Sequence, residues 1–196
     1  MTRTQWLAPL AAVGLAVLGG GTARAGLLPT EVKVFAEAGN FRWQYAIVLP
    51  TDSQLKTGDY FTIYDFNGYI PGSEAAPDAN WEFTTQPLGP TPPNVQPSDD
   101  PTRPNLSWRY MGPTIDVGQT GLGNFAASSP FEDRAESYFT ARTHRSSDGK
   151  EDQNVTYTDV PVPGGSVNVP EPATLLLGGL ALPLLGLVRR RKNPTV

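Results

Sequence analysis

Residues 41–49 read Phe-Arg-Trp-Gln-Tyr-Ala-Ile-Val-Leu, with a large apolar side chain at every second position. Period two with aromatic and β-branched residues marks a strand that buries one face. Phe41, Trp43, Tyr45, Ile47 and Leu49 share that face, and a second apolar layer must cover it. The pattern recurs. Tyr60 to Phe66 places Phe61, Ile63 and Asp65 on one side, and Tyr60, Thr62, Tyr64 and Phe66 on the other. Trp81 to Thr84, Leu106 to Tyr110, Glu136 to Thr143 and Val155 to Val160 follow. Weaker candidates lie at 32–36, 114–117 and 123–127. Asn67-Gly68 and Pro71-Gly72 are turn signals between them.

The chain is all-β in expectation: an antiparallel β-sandwich of seven to nine strands over residues 26–160. Its core would draw on Trp43, Tyr45, Ile47, Phe61, Ile63, Trp81, Phe83, Trp108, Tyr110 and Phe139. Gly and Pro number 20 each among 196 residues. That is about a fifth of the chain against a usual ~12%, which argues against a helical bundle. A domain of this size buries enough surface to fold without disulfides. It has to, because Cys is absent.

Both ends break the pattern. Residues 1–25 read as a signal peptide forming an N-terminal signal helix. Arg3 supplies a cation, Leu7 to Gly21 an apolar run, and Ala23-Arg24-Ala25 the small-x-small site that signal peptidase accepts. Cleavage is expected after Ala25, with Ala23 and Ala25 as the recognised residues. At the other end, residues 173–188 carry no charge, and Arg189, Arg190, Arg191 and Lys192 follow at once. As a helix those residues span roughly 24 Å, a short transmembrane segment against a ~30 Å hydrocarbon core. The basic cluster keeps its end cytoplasmic. Ahead of the span, Pro170 and Pro172 fix φ and withhold backbone donors, so Val169-Pro170-Glu171-Pro172 is an extended hinge. Residues 161–169 form a Pro/Gly-rich stalk that joins the hinge to the sandwich.

The ordered set of Pro-Glu-Pro, a short apolar span containing Gly178-Gly179, and a terminal Arg cluster resembles the PEP-CTERM sorting signal of bacterial exported proteins. The resemblance covers residues 169–192. It implies that an exosortase, a membrane-embedded Cys transpeptidase, is the processing partner. Pro170, Glu171 and Pro172 would be its recognition tripeptide. Leu175 to Val188 would hold the chain transiently in the inner membrane, and Arg189 to Lys192 would act as the cytoplasmic stop. The protein would then reach the cell surface or extracellular matrix, with exopolysaccharide as a candidate partner.

The middle offers little chemistry. Residues 26–169 hold nine Lys and Arg against eighteen Asp and Glu, a net −9, whereas the whole chain stands at −4. An acidic domain lacks the basic face that nucleic-acid binding requires. With one His and no Cys, a His-based metal cage cannot form within one chain. His144 itself lies between Arg142, Thr143 and Arg145 and reads as an exposed strand-end residue. Asp99-Asp100 and Asp148 to Asp152 are acidic loops that lack EF-hand spacing. Asp65, Glu82, Glu132 and Glu136 are the carboxylates near aromatics, the only candidates for a glycosidase pair. Seven prolines in residues 86–105 hold that stretch extended as a rigid loop. No catalytic residue, cofactor or metal site is assigned. The expected role is a non-enzymatic surface or matrix protein; the alternatives are a carbohydrate- or calcium-binding surface module and a secreted hydrolase.

Overall fold

The structure, a computed structural model, describes residues 26–116 and 118–164. The expected signal peptide, sorting tripeptide, apolar span and basic stop lie outside those residues. Nine strands form the described part: β1 (Leu28–Glu37), β2 (Asn40–Leu49), β3 (Ser53–Gln54), β4 (Tyr60–Ile63), β5 (Trp81–Gln86), β6 (Asn105–Tyr110), β7 (Thr120–Ser129), β8 (Arg134–Arg145) and β9 (Glu151–Pro161). All pairings are antiparallel. The all-β expectation holds.

One sheet has the order β1-β2-β7. The other runs β9-β8, then β3 and β4 side by side along the far edge of β8, then β6 and β5. The β1–β2 connection is the two-residue turn Ala38-Gly39, with φ of 49° and 84°. Such turns match the twist of the flanking strands but require positive φ at both positions, which Ala tolerates poorly. The open edge of β7 is covered by a loop: Ala75 and Ala126 exchange both backbone hydrogen bonds, and Ile70 N–H donates to Ser128 O. Covering an edge in this way blocks pairing with a second chain.

The facing sheets share one aromatic core. Phe61 from β4 lies at its centre, stacked on Trp108 at 5.3 Å and Phe139 at 5.4 Å. It meets Phe125 of the opposite sheet edge-on at 4.8 Å and Trp81 at 5.9 Å. Trp43, Tyr45, Ile47 and Leu49 are buried as the alternation requires. Every residue named for the core from the sequence lies in it, with Phe83 packed at its margin.

Two local expectations are corrected, and one strand goes unannounced. Phe66 was placed on the face opposite Phe61, yet it is fully buried in the same core. The reason is Asp65, whose φ of 57° ends β4 after Ile63 and breaks the alternation. The 114–117 segment makes a single bridge, Ile115 to Leu55, rather than a strand; Val117 lies outside the described residues. The short β3 had no period long enough to announce it.

Candidate functional site

The outer face of the larger sheet is built from the residues that alternate with the core positions. Thr62 and Tyr64 project there from β4 and its end, Ser107 from β6, and Thr140 from β8. These are hydroxyl side chains, yet all four are buried. The cover is the proline-rich connection between β5 and β6. Thr62 Oγ1 donates to Pro90 O at 2.8 Å and pairs with Ser107 Oγ at 2.8 Å. Tyr64 Oη contacts Pro90 O, Thr91 Oγ1 and Thr140 Oγ1 within 3.2 Å. Buried hydroxyls need such partners, because an unpaired one costs about 1–3 kcal/mol. The prolines thus form a strap that turns an outward polar face into a second, hydrogen-bonded layer.

The acidic residues near the strap hold it in place. Asp99 accepts Gly89 N–H and Asn105 Nδ2, and Asp65 accepts Asp100 N–H at 2.9 Å. Asp100 accepts from Thr102 and pairs with Arg103 at 3.3 Å. Asp148 is engaged by Arg145 and by Lys150 N–H. Among the described residues no group of three or more His, Asp or Glu side chains is arranged to hold a metal ion. Glu82 on β5 and Glu136 on β8 are separated by β4 and β6. Glu82 lies level with Arg142, six residues from Glu136, so three strand spacings of roughly 14 Å and about 20 Å along β8 separate them, far beyond the ~6.5–9.5 Å of an inverting glycosidase pair. A groove of about 360 Å³ opens between the strap and β5, lined by Tyr69, Gln86, Arg103 and several prolines. Two of its polar groups are partnered within the domain, with Tyr69 Oη donating to Glu74 and Arg103 held by Asp100. Asn105 and Asn154, the two Asn-x-Ser/Thr asparagines, are both buried and donate inward.

One charged cluster escaped the sequence reading. Gln54 pairs with His144 and Tyr60 with Arg142, so the five residues 55–59 bulge opposite Thr143 alone. Gly58, with φ of 94°, makes that bulge possible. It drives Asp59 into the sheet, fully buried. Asp59 Oδ2 accepts Lys56 N–H at 2.8 Å and lies 3.0 Å from His144 Nδ1. Oδ1 faces Arg142 Nε at 3.8 Å without a hydrogen bond. The Arg142 guanidinium also lies over the Tyr60 ring at 5.2 Å and donates to Gly58 O. His144 is therefore not a free strand-end side chain but one arm of a clamp that pins the bulge. The turn Thr57-Gly58 preceding an acid was the available signal.

Burial raises the Asp59 carboxyl above its ordinary 3.8, against the opposing pull of Lys56 N–H, His144 and Arg142. A raised folded-state value means that the fold favours the protonated acid. That contribution is complete below the ordinary value and is lost as pH rises through the raised one. The wild type should therefore lose stability relative to Asp59→Asn as pH rises from 3 to 6. Urea unfolding of both proteins across that range measures it; a constant difference would refute the assignment.

The described part thus defines an acidic β-sandwich covered by a proline-rich strap that Asp65 and Asp99 hold in place. The chain leaves it at the end of β9, where Val162 N–H is held by Asp133 O. Beyond that point, residues 168–192 match the PEP-CTERM protein-sorting motif. The chain carries the signal of an exported protein handed to an exosortase. No curated protein matches the chain.

Proposed function

We propose that this chain is an exported, non-enzymatic surface or extracellular-matrix protein, and that it is the substrate of its exosortase rather than a catalyst. The observation that carries the reading is the sorting motif at residues 168–192. In this reading Pro170, Glu171 and Pro172 present the scissile region outside the membrane. The apolar span holds the protein there until it is cut, and Arg189 to Lys192 prevent it from slipping through. The sandwich is the cargo. Its strap and its engaged carboxylates support a structural part for it within an exopolysaccharide-rich layer.

A carbohydrate-binding module is the second reading. It draws on Tyr138 and Tyr157, whose rings lie 4.9 Å apart on the outer face of β8 and β9, with Tyr157 half exposed. Retention by the host's own exopolysaccharide separates the two, since only the second reading requires it.

Mass spectrometry of the mature protein tests the sorting reading. A C-terminus between residues 170 and 172 is expected. Intact peptides containing Arg189 to Lys192 in the surface fraction would overturn it.

A further inference from the structure

The two processing sites stand in opposite relation to the folded domain. Gly26, the residue after the expected signal-peptidase cut, is already buried. Leu27 is 0% exposed and belongs to the central core. Its carbonyl accepts a 2.9 Å hydrogen bond from Asn154 Nδ2 of β9, and β1 begins one residue later with Leu28 paired to Val48. No spacer separates the cleavage site from the fold. Gly26 itself packs so closely that a Cβ there would lie 2.2 Å from Asn154 Oδ1. Any larger residue at position 26 would therefore displace the Asn154 side chain that holds Leu27. At the other end Pro163 and Gly164 are exposed. Pro170 lies nine residues past the last residue of β9, a reach of up to ~30 Å for extended chain.

We propose that folding of the sandwich closes the Ala25–Gly26 bond to hydrolysis, so that N-terminal processing must precede folding, whereas C-terminal processing acts on the folded domain. The proposal rests on reading residues 1–25 as a signal peptide. A peptidase binds several residues on both sides of the scissile bond in extended form, and proteolysis requires such a segment to be accessible. Water must add across the bond to leave a carboxylate on Ala25 and an amine on Gly26. The enzyme that catalyses this reaches Gly26 only if Leu27 leaves the core and the first pairs of β1 open. Cleavage of the folded precursor then proceeds through the open fraction alone. A precursor that folds before it is cut is processed only slowly and stays held by its leader meanwhile.

The test uses full-length precursor purified in detergent and a bacterial signal peptidase. Three samples are compared: folded wild type, wild type diluted from urea directly into the enzyme, and a variant with a six-residue Gly-Ser spacer inserted between Ala25 and Gly26. The spacer variant should keep the wild-type thermal midpoint, since it adds chain outside the core. It and the urea-diluted wild type should be cut alike. Folded wild type should be slower by on the order of 100-fold, which corresponds to a local opening of about 2.8 kcal/mol at 1.4 kcal/mol per decade. Equal rates for folded wild type and the spacer variant would overturn the proposal. Failure of all three samples to be cut would instead remove the signal-peptide premise. The C-terminal sorting reading would be untouched, because it stands on its own motif and its own mass measurement.

Discussion

Phe61→Ala is expected to lower the unfolding free energy by about 3–5 kcal/mol, the usual cost of emptying a buried aromatic site. Four rings lose a partner at once. Trp108 and Phe139 lose a stacked neighbour on either side, and Phe125 and Trp81 lose an edge-on contact. Phe125 belongs to the opposite sheet, so the cavity opens at the joint between the layers, where neither sheet can relax alone. A domain of this kind has about 5–15 kcal/mol in total, and the thermal midpoint should fall by roughly 10–20 °C. The control is Val155→Ala, at a 45% exposed position on β9, where a change within about 0.5 kcal/mol is expected. Urea and thermal unfolding of both variants decide it. A loss at Phe61 no larger than at Val155 would mean that the two sheets are not joined through this ring.

That core was legible because it depends on period and residue type. A nine-residue alternation fixes which side chains of β2 face inward, whatever the partner strand is. Phe66 was misassigned because legibility fails where one residue leaves the β region. Asp65 adopts a positive φ, and the alternation does not continue through it to Phe66. The strap was half legible. Seven prolines announce a stiff connection, but composition cannot say which surface the connection crosses. That depends on Thr62, Tyr64, Ser107 and Thr140 meeting from three different strands. The Asp59 clamp was not legible, since it requires β3 and β4 to pair with the same edge of β8 across a five-residue bulge. Pairing partners at such separations are set by the fold as a whole. The sorting segment is the reverse case. Its motif is linear, an ordered run of residue types along the chain, and residues 168–192 match the PEP-CTERM protein-sorting motif.

The combined substitution Pro170→Ala, Glu171→Ala and Pro172→Ala is expected to abolish C-terminal processing and leave an uncut precursor in the inner membrane. The two prolines do more than offer side chains. Each fixes φ and withholds an N–H, so in the proposed reading a helix formed by residues 173–188 would not run on through them. Alanine, the best helix former, allows that helix to grow toward residue 169 and to bury the scissile region in hydrogen-bonded backbone. A second variant with Arg189, Arg190, Arg191 and Lys192 all changed to Gln should fail differently. Its hinge is intact, but the charge that resists translocation is gone, so uncut protein should appear outside the cell with its tail attached. Tail peptides quantified in the membrane and secreted fractions distinguish the two failures. The thermal midpoint of the sandwich should match wild type in both, because neither change touches residues 26–164. If the alanine variant were cut and released normally, Pro170 to Pro172 would not be the recognised element. If both variants stayed in the membrane, the basic cluster would not be the stop.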